Sequence, residues 1–292
     1  MDTRGEVKAF LTSRRAKLTP EQVGLSGTGR NRRVPGLRRG EVADLAGVSV
    51  EYYARLERGD LSGVSDSVLD ALARALELDE AERLHLADLA RSAGPAARTR
   101  RRPSTRQLRP SLQRVLDGMT DVPAIVNGPR LDLMAANALG RALFAPVLAD
   151  PDRPANHARF TFLDPRARDF WLHWERAADD AVASLRTQAG RDPYDRELTD
   201  LVGELCTRSE AFRTRWASHD VRLHGTGVKH LHHPVVGDLH LSFDVMELPA
   251  DGDLTLIAFT AEPASPDEDA LRLLAGWAVD HDREGAPVVR RP

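Results

Sequence analysis

The sequence predicts a mostly α protein of two domains, a five-helix N-terminal domain followed by an α+β domain whose antiparallel sheet carries a helical insertion. Three observations carry this. Apolar residues recur at helical spacing as far as residue 91, the stretch SAGPAARTRRRPSTR at 92–106 has no hydrophobic period, and strict alternation returns at Leu239, Leu241, Phe243 and Val245. A chain of 292 residues is long enough for two cores. The expected boundaries are 1–91 for the first domain, 92–109 for a linker and 110–284 for the second domain.

In the first domain, Val7, Phe10, Leu11 and Arg14 mark one face of a helix that ends before Thr19-Pro20, where proline forbids continuation. A basic loop follows, GTGRNRRVPG at 27–36. Its glycines lack the preceding strand and the spacing of a dinucleotide site. Arg30, Arg32 and Arg33 either contact phosphates or form a solvated loop, and both readings stay open.

Two short helices joined by a tight turn are expected between residues 38 and 59. Val42, Ala43 and Ala46 form the apolar face of the first, and the small Ala43 lets the second cross closely. Gly47 supplies the positive φ of a sharp helix end, Ser49 caps the next helix, Tyr53 and Leu56 point inward, and Gly59 stops it. A small residue in the first helix, a turn glycine and an apolar anchor in the second are the requirements of a helix-turn-helix. Ser49, Val50, Glu51, Tyr52 and Arg55 then lie where a recognition helix meets base edges, and Arg38 and Arg39 lie at the start of the first helix, where phosphates are met. The competing reading is an ordinary helical hairpin with a solvated face. Asp66 or Ser67 is expected to cap a fourth helix through Leu69, Leu72, Ala73 and Leu76, and Asp79 a fifth through Leu84, Leu86 and Leu89.

Charge distribution agrees with a nucleic-acid partner for the front only. Residues 1–110 carry 21 Lys and Arg against 15 Asp and Glu, while residues 111–292 carry 20 against 29.

In the second domain, Pro123 to Asn127 and Leu131 to Ala135 read as strands around a Gly128-Pro129 turn, and Asn137 caps a short helix through Leu139, Leu143 and Phe144. From Phe160 to Val221 the pattern is helical. Trp171, Trp174, Ala178, Val182 and Leu185 share one face, followed by Leu198, Leu201, Val202 and Leu205, then Phe212 and Trp216. Alternation at 239–245 and at Leu254, Leu256 and Ala258 adds strands, and a closing helix spans 267–278. The order agrees with an antiparallel sheet of PAS type, in which a small ligand lies between sheet and helices. Phe162, Phe170, Trp171, Trp174, Phe212 and Trp216 are the candidate pocket aromatics. Individually each also reads as packed core.

Six histidines fall between His219 and His240, but a strand puts His230 and His232 on one face and His233 on the other, which argues against a metal site. No nucleophile or phosphate-binding motif is present, so neither catalysis nor a cofactor is expected. Cys206 is the only cysteine, which excludes an intramolecular disulfide. With no leader-like N-terminus and no run of about 18 apolar residues, a cytoplasmic protein without membrane contact is expected.

PGLRRGEVADLAGVSVEYYARLERG at 35–59 and LDALARAL at 69–76, with SEAFRTRWASHDV at 209–221 and HPVVGDLHL at 233–241, resemble XRE-class helix-turn-helix regulators of actinobacterial type with a C-terminal MmyB-like, PAS-like ligand-binding domain. The resemblance covers nearly the whole chain. Gly40 departs from it, standing where an acidic residue is common. The resemblance implies a transcription regulator controlled by a fatty-acid-like amphipathic ligand, with Arg213 or His219 as head-group partners. A homodimer on an inverted repeat of double-stranded DNA is expected, because one recognition helix reads too few base pairs. The alternatives are a protein-interaction adaptor of the same architecture and a metal-dependent enzyme with a DNA-binding appendage.

Overall fold

The structure is a computed structural model that describes residues 3–25, 35–93, 108–150, 154–218 and 225–285. In chain order the elements begin with α1 (Thr3–Lys17), α2 (Arg39–Ala46), α3 (Val50–Glu57), α4 (Asp66–Ala75) and α5 (Glu80–Ala93). Next come α6 (Pro110–Gly118), β1 (Ala124–Asn127), β2 (Leu133–Ala136), α7 (Ala138–Leu143), α8 (Ala145–Leu148), α9 (His157–Leu163) and α10 (Ala167–Phe170). The helical insertion is α11 (Trp174–Arg191), α12 (Arg196–Arg208) and α13 (Glu210–Ala217), and the chain closes with β3 (Thr226–His233), β4 (Gly237–Leu248), β5 (Leu254–Thr260) and α14 (Pro266–Gly285). Contacts divide these into two compact units, one of residues 1–101 with 182–223 and the other of 102–181 with 224–292.

The first unit contains the five expected N-terminal helices around one core, in which Val7, Phe10, Leu11, Val42, Tyr53 and Leu72 are fully buried. Its caps follow from sequence chemistry. The Ser49 Oγ accepts from the Tyr52 N–H at 3.1 Å, and Asp79 and Glu82 satisfy each other's backbone N–H groups at 2.8 and 3.1 Å. Each such cap stabilises a helix by about 1 kcal/mol. The fourth helix is capped by Ser65, one residue before the expected Asp66 or Ser67, because Ser65 is the residue still in extended backbone when its Oγ meets the Val68 N–H. Leu84 is exposed and His85 takes the buried position beside Leu86 and Leu89, with its ring against Phe10. Gly59 is required twice over: its φ is +97°, and a Cβ there would stand 2.3 Å from the carbonyl oxygen of Arg4.

The same unit includes the end of α11 with α12 and α13. Arg186 of α11 is fully buried and forms an ion pair with Glu6 of α1, while its guanidinium donates to the Trp216 carbonyl and lies 4.1 Å from the centre of the Trp216 ring. The Ser92 Oγ donates to the Gly190 carbonyl at 2.8 Å, and Arg191 approaches Asp88 at 3.6 Å. Helices far apart in sequence are thereby joined to α1 and α5 by polar contacts, of which those of Arg186 and Ser92 are buried.

The second unit is built on a five-stranded antiparallel sheet of order β2-β1-β5-β4-β3. Register places Ile125, Ile257 and Val245 side by side on one face, where Phe243 pairs with Phe259 and Leu231 with Leu239. The opposite face carries Val126, Leu254 and Leu256, which pack with Leu116 of α6. Apolar residues on both faces make β5 a covered central strand, and this is why burial passes from Leu254 and Leu256 to Phe259, leaving Ala258 partly open.

Two local expectations move. The strand expected to open at Leu131 begins at Leu133, because the turn is longer: Leu131 adopts φ +64° and donates to the Gly128 carbonyl at 3.0 Å. Trp171 does not continue a helix. It is extended and bridges Leu231, while the Leu172 N–H donates to the His230 carbonyl, so residues 171 and 172 cover the edge of β3. Asn137 caps α7 as expected and also accepts from the Ala124 N–H, while its amide donates to the Met119 and Val122 carbonyls, tying α7 to the start of the sheet.

Candidate functional site

The exposed face of α3 is set by what holds its back. Tyr53 and Leu56 are fully buried, and Glu57, also buried, accepts from the Arg15 guanidinium of α1 at 2.6 Å and from Arg39 of α2. Arg15 donates further to the Leu37 carbonyl at 2.8 Å. Burial and the neighbouring Glu57 charge push the Tyr53 phenol well above its usual range, so it is neutral. The hydrogen bond to Glu57 likewise raises the Arg39 guanidinium.

With the back pinned, α3 turns Val50 and Glu51 to solvent and leaves Tyr52 and Arg55 half-exposed. The Arg55 guanidinium lies 4.8 Å from the centre of the Tyr52 ring, a stack that limits the rotamers of both. Gly47, at φ +66°, makes the turn that leads into α3. Arg38 is exposed at the start of α2, where its N–H donates to Glu41 at 2.6 Å. Arg39 is half-exposed, but its guanidinium is held by Glu57, a role that α2's sequence alone did not reveal. Ser49 is engaged as a cap. Arg30, Arg32 and Arg33 lie outside the described residues.

The expected pocket aromatics fall into two groups. Phe162, Phe170, Trp171 and Trp174 lie in the sheet-bearing unit, where Phe170 meets Trp171 at 4.8 Å and Phe162 meets Trp174 at 5.9 Å between ring centres. Both indoles have partners, Trp171 donating to the Thr161 Oγ1 and Trp174 to the Thr161 carbonyl, and the Arg168 guanidinium stacks 4.0 Å over Trp174. Phe212, Arg213 and Trp216 belong to the unit of the N-terminal helices, where Phe212 and Trp216 are stacked and Arg213 donates to the Cys206 carbonyl at 3.3 Å. Burial raises the Cys206 thiol, so it is not an activated nucleophile. His219 lies outside the described residues, as do residues 94–107 of the expected linker.

Sequence reasoning missed the residues that line the sheet face. Phe144 is the hub, 5.2 Å from Phe259, 6.2 Å from Phe170 and 5.4 Å from the ring of His157. Lys229 is paired with Asp180 at 2.8 Å and lies 5.0 Å from the centre of the Phe243 ring. His233 is buried with both nitrogens engaged: Nδ1 accepts from the Val235 N–H, so Nε2 carries the proton it donates to the Ala142 carbonyl. The His157 Nε2 is buried with no hydrogen-bond partner, and burial with the nearby Lys229 charge lowers its pKa to about 4. The available signal was periodicity, since Phe243 and Lys229 alternate toward one face. His157 carried none.

His173, His230 and His240 stand in a row at ring distances of 4.7 and 4.9 Å. Among the described residues no group of three His, Cys, Asp or Glu side chains has the geometry to hold a metal ion. No helix among them is long and apolar enough to cross a membrane.

A helix-turn-helix that turns part of α3 to solvent, carried on the same chain as a five-stranded antiparallel sheet domain, is the architecture of a DNA-binding transcription regulator. Residues 108–274 match the model of the MmyB-like transcription regulator ligand binding domain, and residues 9–86 match a helix-turn-helix domain. The first match covers more than half of the chain, which belongs to the MmyB-like regulator family. No curated protein matches it. Both matched families are regulatory in kind.

Proposed function

We propose that this regulator binds an inverted-repeat operator as a homodimer and that a small apolar or amphipathic ligand, fatty-acid-like in character, controls that binding. The observation that carries the DNA half is the α3 surface: Val50, Glu51, Tyr52 and Arg55 are presented while Glu57 holds the helix to α1 and α2. Arg55 is assigned to guanine, Glu51 to cytosine N4 and Val50 to a thymine methyl. Arg38, with Arg30, Arg32 and Arg33, is assigned to phosphates. Arg39 acts through Glu57 on the position of α3.

The ligand half rests on the matched ligand-binding domain and on the aromatic cluster against its sheet. Coupling is assigned to the helical insertion. The matched region contains α12 and α13, and these share a compact unit with α1 to α5, joined through Arg186 and Glu6. A ligand that displaces the insertion therefore changes the support of the DNA-binding helices. The effect on operator affinity is limited by the ligand's differential affinity for the two arrangements.

The test is selection of DNA from a random library by the full-length protein, followed by affinity measurements over a salt series. An inverted repeat with half-sites about 34 Å apart and a steep salt slope supports the reading. Failure to enrich any sequence overturns operator binding and leaves a protein-interaction adaptor.

A further inference from the structure

We infer that Asp60 is a positioning residue for sequence readout: its carboxylate aims the Arg55 guanidinium so that the Nη end, and not the Nε edge, is offered to a base. The inference rests on the proposed contact of Arg55 with guanine and adds the residue that fixes the geometry of that contact. The carboxylate is placed by the way α3 ends. The Gly59 N–H donates to the Leu56 carbonyl at 2.8 Å and the Asp60 N–H to the Arg55 carbonyl at 3.3 Å, the paired bonds of a Schellman turn. Such a turn brings its last residue against the residue whose carbonyl it has capped, and that contact is commonly apolar. Here the two positions are held by Asp60 and Arg55, with the Asp60 Oδ2 3.9 Å from the Arg55 Nε. The positive φ of Gly59 and the close carbonyl of Arg4 admit no other residue at the turn, so the helix end and the pairing come together.

The Arg55 and Asp60 side chains are 42% and 38% exposed, and an ion pair between exposed groups adds little stability. Its consequence is geometric. The guanidinium lies 4.8 Å from the centre of the Tyr52 ring, and its Nε is inaccessible, makes no hydrogen bond and faces the Asp60 carboxylate as counter-charge. The donors left for a ligand are those of the Nη groups, a fork that matches the O6 and N7 acceptors of guanine. Asp60 is itself fixed. Its Oδ1 accepts from the Ser62 N–H at 3.2 Å, and the hydrogen bonds from Ser62 hold the carboxyl below the usual carboxylate range, so it is ionised. A fixed negative charge beside Arg55 also repels phosphate. It disfavours a swing of the guanidinium onto the nucleic-acid backbone, where a contact carries no sequence information.

The experiment uses the full-length protein and measures affinity for the selected operator, for its single-base variants and for nonspecific DNA. Asp60→Asn removes the charge while its amide oxygen still accepts from the Ser62 N–H, and Asp60→Glu restores the charge; thermal melts establish that both fold. The expected result is that Asp60→Asn lowers discrimination by about fivefold or more at the one position that Arg55→Ala also affects. Binding to nonspecific DNA stays at least as tight as in wild type, Asp60→Glu recovers discrimination in part, and Asp60→Asn adds nothing in an Arg55→Ala background. If Arg55→Ala loses that position but Asp60→Asn keeps it, or weakens all DNA alike, the positioning role is wrong while the guanine contact stands. If no operator is enriched, or Arg55→Ala leaves every position unchanged, the reading beneath the inference fails and the inference with it. Should Asp60→Asn not fold, the Arg55 Nε–H resonance of wild type decides, since it must exchange slowly with solvent, and exchange as fast as in free arginine overturns the inference.

Discussion

Arg15 and Glu57, 42 positions apart, form a 2.6 Å ion pair that fastens helix α3 to α1. Glu57 is nearly inaccessible, and Arg39 of α2 occupies its second oxygen. One carboxylate thus holds three helices in the arrangement that presents Val50, Glu51 and Arg55.

Glu57→Gln leaves two guanidinium groups facing a neutral amide. Breaking a buried pair in this way destabilises by about 3 kcal/mol. Urea denaturation of the full-length protein should show that loss, together with weakened binding to every DNA sequence. A variant as stable as wild type would mean that α3 is positioned by its apolar contacts alone.

Arg55→Ala and Glu51→Ala should each alter sequence preference, at about 1–3 kcal/mol for the base concerned, whereas Arg38→Ala should weaken specific and nonspecific DNA alike and reduce the salt slope. Arg39→Ala is expected to resemble Glu57→Gln in stability. Binding isotherms on the selected operator and on its single-base variants separate these outcomes. Uniform losses across all four variants would count against the docking arrangement.

Removing one member of the Glu6–Arg186 pair strands a charge in the interior, and Glu6→Gln should cost about 3 kcal/mol. Replacing both, as in Glu6→Leu with Arg186→Met, should recover at least half of that loss, because apolar groups of similar volume need no partner. The double-mutant cycle by chemical denaturation checks this. Additive losses would show that the two side chains act independently.

His157 also predicts a pH dependence. Its folded pKa is lowered to about 4 from the ordinary 6.5, so in this window the unfolded chain binds the proton more readily than the folded one. The stability is fully present above pH 6.5 and is lost as pH falls toward 4, by up to about 3 kcal/mol. The lowered pKa of His233 acts in the same direction. Urea melts between pH 7 and 4.5 should therefore slope downward, and His157→Gln should flatten part of that slope. An unchanged slope in the variant would assign the acid sensitivity to His233 and other groups.

The sequence by itself determined what local chemistry and periodicity determine. The five N-terminal helices, the Gly47 turn, the Ser49 cap and the inward Tyr53 and Leu56 were legible because each depends on residues within one or two helical turns. Alternation from Leu239 to Val245 and the Asn137 cap were legible for the same reason. Local chemistry also set the limits: Ser65 and Asp66 compete for one cap, and only the observed extended backbone at Ser65 separates them.

Tertiary structure alone decided which elements share a neighbourhood. Trp171 left the helical pattern because pairing with the edge of β3 outweighed local propensity. Phe212 and Trp216 went with the N-terminal helices, while Phe170 and Trp174 stayed beside the sheet, although one hydrophobic pattern ran through them all. Glu6 and Arg186 stood on the apolar faces of their own helices as charges without visible reason. Each is stabilised there by the other, and partners 180 positions apart leave no periodicity to read. A buried charge or imidazole is a relation between distant segments, and such relations exist only once the chain has folded.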